Sequence, residues 1–214
     1  MVKNRTSDAG HKTAVEAIVL AAGSSTRFGD RKLLSLLHGK PLLMYALEAA
    51  CGSQCRRVIL VVNRFLLGEL TAVQDRVTVV LNEQAEDGMG SSISCGVRNS
   101  INSDAVVLLA ADQPLVSTAL IDSIIDSSVL HPASIVVSSF HGVTRNPALF
   151  PKEYYGELTN LQGDRGAKHI IEKHSENVSR IELSDEEQLL DVDTAADLER
   201  VRSIVAERKK AVFR

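Results

Sequence analysis

The segment LAAGSSTRFGDRKLL, residues 20–34, brings glycines, small residues and two cations together directly after an apolar run. Gly23 and Gly29 allow backbone conformations that side chains forbid, and successive N–H groups in such a turn form a nest for an anion. Arg27 and Lys32 add fixed positive charge beside it. An ordinary strand-to-helix turn with solvated cations is the competing reading, and the coincidence of all three features favours phosphate binding. No G-K-[ST] follows at Walker spacing and no G-x-G-x-x-G is present, which excludes a P-loop and a dinucleotide fingerprint.

Carboxylates that suit a hard cation lie further along. Asp112 ends the apolar run AVVLLAAD, residues 105–112, and Gln113–Pro114 stops the strand there. A carboxylate so placed faces a crevice and suits Mg²⁺, which keeps several waters and takes one or two protein carboxylates. Helix capping is the alternative for Asp112, but Pro114 intervenes and Ser117 is the better cap for the next helix. Asp191 and Asp193 in DVDT alternate with Val192, so both project from one face of an extended segment as further metal ligands. Their alternative is to complement the dipole of the helix that Thr194 caps.

Two more loops hold candidates. EDGMGSS, residues 86–92, is a glycine-rich opening to a helix, in which Ser91 or Ser92 serves at least as a cap. GDRGAK offers Arg165 and Lys168 near a helix start, as phosphate ligands or as solvated surface charge. The six histidines are scattered with no pair at metal-ligand spacing, and His141 beside RNPALF is the one to watch. Cys51 and Cys55 stand four apart with no His or Cys to complete a metal set. No Ser-His-Asp or Cys-His constellation is visible, so the chemistry is one that needs no enzyme nucleophile.

These loops must be positioned by the elements between them. Near-continuous apolar runs at 16–22, 58–63, 77–82, 105–112 and 133–140 read as strands covered on both faces. Helices are expected at 41–51, 64–74, 91–100 and 117–130, and from Thr194 onwards, where Asp197 three residues on completes a capping box. Residues 141–150 read as a turn into a short strand, 161–175 as a loop entering a helix, and 179–185 as a strand near an edge. Alternating strands and helices predict a single α/β domain with a mostly parallel sheet, in which ligands bind beyond the carboxyl ends of the strands.

At 214 residues the chain can bury a sizeable core, and 44% hydrophobic against 24% charged residues is a globular balance. A net charge of −3 gives no footprint for nucleic acid or an anionic membrane. No apolar run approaches the roughly 20 residues of a membrane span. An odd number of cysteines and a polar start without a secretory signal point to the cytoplasm. Residues 1–13 read as a disordered tail before a domain at 14–210.

The signature LAAGSSTRFGDRK resembles that of nucleotidyltransferases with a Rossmann-like GT-A fold, a three-layer domain. With it, GMGSSISCGV (88–97), LAADQPLV (109–116), RNPALF (145–150), LQGDRGAKHI (161–170) and DVDTAADL (191–198) resemble, in order, the blocks of molybdenum cofactor cytidylyltransferases, over about residues 16–205. The resemblance implies transfer of CMP from CTP to molybdopterin with Mg²⁺ and loss of pyrophosphate. It implies a nucleotide site of Ala21, Ala22, Gly23, Ser24, Arg27, Lys32, Gly90 and Ser92, with Arg27 and Lys32 catalytic. It further implies metal at Asp112, Asp191 and Asp193, an acceptor at Asn146, Pro147 and Arg165, and a client molybdoenzyme or its chaperone as partner. The LAAG wording goes with cytosine over guanine. Three departures stand out: Phe28 for Met, Arg145–Asn146 for Gly–His, and Ala195 for Pro. The second touches the acceptor block and leaves three readings open: cytidylyl transfer to molybdopterin, transfer with GTP or to a sugar or polyol phosphate, or a non-catalytic carrier of the pterin cofactor.

Overall fold

A computed structural model describes residues 13–23, 31–70 and 77–212. The chain opens with β1 (Val15–Ala21), almost wholly buried. A small hairpin of β2 (Leu36–Leu37) and β3 (Lys40–Pro41), not foreseen from the sequence, turns through His38 and Gly39 and leads into α1 (Leu42–Gly52). There follow β4 (Arg57–Val62), α2 (Arg64–Glu69), β5 (Val77–Leu81) and α3 (Met89–Arg98). Next come β6 (Ala105–Ala110), α4 (Thr118–Leu130), β7 (Ile135–Phe140) and β8 (Val143–Pro151). The chain finishes with α5 (Tyr155–Thr159), α6 (Lys168–Lys173), β9 (Val178–Glu182) and α7 (Ala195–Val212).

Seven strands form one sheet in the order β5-β4-β1-β6-β8-β7-β9. All neighbours are parallel except at β8, which is antiparallel to both β6 and β7. Buried valines, isoleucines and leucines on one face pack against α1 and α4, and those on the other against α3 and the α5–α6 region. Gly96 lets α3 settle onto β1: a Cβ there would stand 2.5 Å from the Ile18 Cγ2. A third apolar cluster, with Leu37, Leu42, Val192, Leu198 and Val201, docks α7 at the carboxyl end of the sheet.

The positions of the five apolar strands, the edge place of β9 and the caps agree with the sequence, but β5, expected to be covered on both faces, forms the other edge and is only partly buried. Ser117 Oγ accepts from the Leu120 N–H at 3.2 Å. Thr194 and Asp197 cap α7 reciprocally, with the Thr194 N–H donating to Asp197 Oδ2 at 2.7 Å and the Asp197 N–H to Thr194 Oγ1 at 3.2 Å. Two elements differ. The helix expected over 64–74 ends at Glu69 within the described residues, and 71–76 lie outside them. The short strand expected within 141–150 is nine residues long and sits inside the sheet. Asn146–Pro147 interrupts its sequence pattern, and a register shift opposite β7 absorbs the interruption.

At the amino end of the sheet the buried Glu16 is paired on both oxygens. Oε1 accepts from Arg56 Nη2 at 2.7 Å; Oε2 accepts from Arg57 Nη2 at 3.0 Å and from Ser100 Oγ at 2.7 Å. Burial pushes the Glu16 pKa up, but the bonds to Arg56, Ser100 and Arg57 outweigh it and hold the carboxyl below its ordinary value. This end of the fold is neutralised within the protein itself.

Candidate functional site

Strand order reverses between β1 and β6, so a crevice opens where their carboxyl ends diverge. β1 leads there to Ala22 and Gly23, and β6 to Asp112. Lys32 opens a short 3₁₀ turn at Lys32–Leu34. Lys32 is buried, and its Nζ donates to Asp112 Oδ2 at 2.7 Å and to Asp193 Oδ1 at 3.1 Å. The solvated-cation reading of this lysine therefore falls. Burial alone would push its pKa down, but Asp112 and Asp193 outweigh burial and hold the ammonium above its ordinary value.

The 191–193 segment is tied to the same place. The Val192 N–H donates to the Asp112 carbonyl at 3.0 Å, and the Val192 side chain is fully buried in the α7 cluster. Alternation then turns Asp191 and Asp193 away from that cluster, as the sequence pattern required. Asp193 reaches Lys32. Asp191 keeps an exposed face, yet its carboxyl is pushed up to about 6: crowding by protein is the largest cause, followed by the charges of Asp112 and Asp193. Among the described residues, no three His, Cys, Asp or Glu side chains stand close enough to hold an ion by themselves. Mg²⁺ asks for less, one or two carboxylates plus substrate phosphates, and the hard oxygens of Asp112 and Asp193 meet that need.

Gln113 was passed over in the sequence as a strand breaker. It is 2% exposed, and its Nε2 donates to the Leu189 carbonyl at 3.3 Å. A carbonyl only accepts, so the amide nitrogen must face it and Oε1 points elsewhere, without a partner among the described residues. A buried orphan acceptor beside the crevice carries no signal that periodicity or spacing reveals.

Ala21 and Ala22, expected at the nucleotide, are buried, and the Ala22 carbonyl accepts from Asn63 Nδ2 at 3.3 Å. A Cβ added to Gly23 would meet nothing within 4 Å, so the space above it is open for a ligand's close approach. Ser24 and Arg27 lie outside the described residues. The opening of α3 is more closed. The Gly90 N–H donates to the Gly163 carbonyl at 2.9 Å, and a Cβ on Gly90 would stand 2.9 Å from the Gln162 nitrogen. Ser92 is buried and accepts from Asn82 Nδ2 at 3.1 Å, while Ser91 Oγ donates to the Gln84 and Gly88 carbonyls. Both Gly90 and Ser92 thus have structural work.

A cavity of about 210 Å³ lies between β1, β6, β8, α3 and α6. Asn146, Arg145, Lys168, Gln113 and Asp191 are among the residues lining it. Pro147 is buried behind it. Arg165 is exposed and is not one of the lining residues, because the loop turns it outwards before α6 begins. His141, in the turn before β8, stacks at 4.1 Å on Phe140 and is likewise not among the cavity-lining residues.

A three-layer α/β sheet with a basic loop after the first strand and acidic residues at the reversal point is the architecture of a nucleotidyltransferase. The MobA-like NTP transferase domain matches residues 17–178, and the chain belongs to that family. Among its relatives is PucB, a purine catabolism protein of Bacillus subtilis (strain 168), 32% identical over 197 residues that cover 86% of this chain and 94% of PucB. The crystal structure of Rv0371c from Mycobacterium tuberculosis H37Rv superposes with a TM-score of 0.77 at 26% identity, over 89% of this chain and 98% of that one. Rv0371c has also been solved in complex with manganese. A nucleotidyl transferase from Methanothermobacter thermautotroptrophicus shares the fold, with a TM-score of 0.75 at 18% identity over 91% and 99% of the two chains. The chain is an enzyme of this class, so the reading as a non-catalytic carrier is set aside. Among the described residues no helix is long and apolar enough to cross a membrane.

Proposed function

We propose that the enzyme transfers CMP from CTP to a molybdopterin-type acceptor with Mg²⁺ and releases pyrophosphate, within a catalytic domain spanning 14–210. The observation that carries this reading is the convergence of Lys32, Asp112 and Asp193 at the reversal point of the sheet. An oxygen of the acceptor phosphate attacks the α-phosphorus, and the bond from that phosphorus to the bridging oxygen of pyrophosphate breaks. The acceptor is already ionised at neutral pH, so no side chain has to serve as nucleophile. Asp112 and Asp193 would hold the ion, with Asp191 as a further oxygen donor; bound there, Mg²⁺ offsets charge on the phosphates. Manganese bound to Rv0371c supports a divalent ion here. Lys32, and Arg27 by resemblance, counter the charge that grows on the leaving pyrophosphate. Ala21, Ala22 and Gly23 offer backbone and open space to the base.

The partners of this reading are CTP, the pterin acceptor and a client molybdoenzyme or its chaperone, without nucleic acid or membrane. The name of the PucB relative suggests a client in purine breakdown. The compartment is the cytoplasm, where an odd number of cysteines stays reduced. A second reading, transfer to a sugar or polyol phosphate, is favoured by Arg145–Asn146 at the acceptor cavity. Pyrophosphate release with each of the four NTPs and either molybdopterin or a sugar phosphate decides between them. Release should be fastest with CTP and molybdopterin. Equal or faster release with GTP would reverse the base assignment, and release only with a sugar phosphate would replace the acceptor.

A further inference from the structure

Arg145 and Asn146 leave the ladder of the sheet where the crevice opens. β7 and β8 pair at Val136 with Leu149 and at Val137 with Ala148, and resume at Ser138 with Arg145, so Asn146 and Pro147 face no partner residue. Bulges of this kind re-aim side chains and are common beside active sites. This one is held from behind: the fully buried Ser138 donates its Oγ to the Pro147 carbonyl at 3.0 Å. The result is that Thr144, Arg145 and Asn146 all line the 210 Å³ cavity.

Arg145 is half-buried there, and among the described residues it forms no ion pair. Its one hydrogen bond runs from Nη1 to the adjacent Thr144 carbonyl at 3.4 Å, near the outer limit for such a bond. Arg56 and Arg57, by contrast, are each held by Glu16 and by a backbone carbonyl. A guanidinium with unspent donors in a cavity wall is a fork for a planar or tetrahedral oxyanion. Lys168 lines the same cavity, mostly exposed and 3.8 Å from Glu172, as does Asp191. The unspent donors of Arg145, rather than net charge, suit this wall to an anion. Its floor is apolar, with Leu20, Ile93, Leu108 and Ile171. At 210 Å³ it is smaller than the ~300 Å³ at which small-molecule sites begin, room for a phosphate and the ring or short chain that bears it.

We propose that Arg145, with Lys168 beside it, seats the phosphate monoester of the acceptor, and that the apolar floor packs the group attached to it. The inference rests on the proposed transfer to a phosphate acceptor and moves the role expected of Arg165 to Arg145. It makes Arg145 a specificity-determining residue, since Lys cannot reproduce a two-donor fork.

Phenyl phosphate, a phosphate monoester on a flat ring, tests this on the full chain without nucleotide or metal, by ligand-observed NMR titration. Wild type should bind it more tightly than phenol. Arg145→Gln should weaken binding by about tenfold or more, the loss expected for one charged hydrogen bond, and Arg145→Lys by less. Arg165→Gln should stay within about twofold of wild type. Circular dichroism checks the fold, and Arg145→Lys carries the test if the Gln variant fails to fold. Unchanged binding in Arg145 variants, an equal loss in Arg165→Gln, or phenol binding as well as phenyl phosphate would each overturn the inference. Base preference is measured separately, so a chain that binds phenyl phosphate through Arg145 yet prefers another nucleotide keeps this site and loses only the CTP reading.

Discussion

At the amino end of β1, Glu16 lies among Arg56, Arg57 and Ser100, with every oxygen paired. At the carboxyl end of the same sheet, Asp112 and Asp193 both accept from Lys32, and Asp191 stands close enough to feel their charges. The first end removes a carboxylate from water, which costs free energy unless charge is matched, whereas at the second Asp112 is half-buried and Asp191 and Asp193 are exposed. The first end has matched it internally, and the Glu16 carboxyl sits below its ordinary pKa. At the second end crowding by protein, and then the charges of Asp112 and Asp193, push the Asp191 carboxyl up to about 6. On the proposed function, carboxylates gathered beside this crevice take up a cation with the triphosphate. A buried carboxylate thus serves stability at one end, and on the proposed function the more exposed carboxylates at the other serve chemistry.

The sharpest way to break this comparison is to remove charge at each end in turn. Asp112→Asn keeps size and should lower turnover by two orders of magnitude or more, with the melting temperature held near wild type. Lys32→Ala should lower kcat by about 10²–10³ and move the nucleotide KM less, because its charge counts most when the leaving group develops. Steady-state kinetics checks both; a raised KM at unchanged kcat would make Lys32 only a holder of the triphosphate.

Glu16→Gln is the matching change at the other end. It should cost about 2 kcal/mol of stability, less than breaking a fully buried pair because both arginines are partly exposed. Folded enzyme should keep its kcat. Urea unfolding and turnover of the same preparation test this, and a variant that loses activity while keeping its stability would erase the division between the two ends.

The smallest effect concerns Asp191. Its pKa rises from 3.8 in the unfolded chain to about 6 in the fold. Below the lower value both states are protonated and the residue is neutral to stability. Between the two, the folded chain holds a proton that the unfolded chain has released, so stability falls as pH rises through this window and stays lowered above it. Asp191→Asn escapes that cost. In EDTA its melting temperature should exceed wild type at neutral pH, and the gap should close as pH falls towards 4. A gap that persists in acid would mean that the gain is not electrostatic.

Much of this molecule was legible because its signals are local. Apolar runs marked five of the strands, Ser117 and the Thr194–Asp197 pair marked helix starts, and the alternation Asp191–Val192–Asp193 placed two carboxylates on one face. Each rests on neighbours within a turn or two of chain, where backbone periodicity and capping act. Chemistry-bearing types at the ends of strands were readable for the same reason. What only the tertiary structure decided is who meets whom. Lys32 finds Asp112 across 80 positions and Asp193 across 161, Gln113 is left with an orphan oxygen, and Arg145 enters the cavity while Arg165 turns outwards. Those outcomes depend on which strands become neighbours and on two residues of β8 that slip out of register. Long-range pairing and a single bulge leave no periodic trace along the chain, because they arise from the packing of elements that are each locally unremarkable.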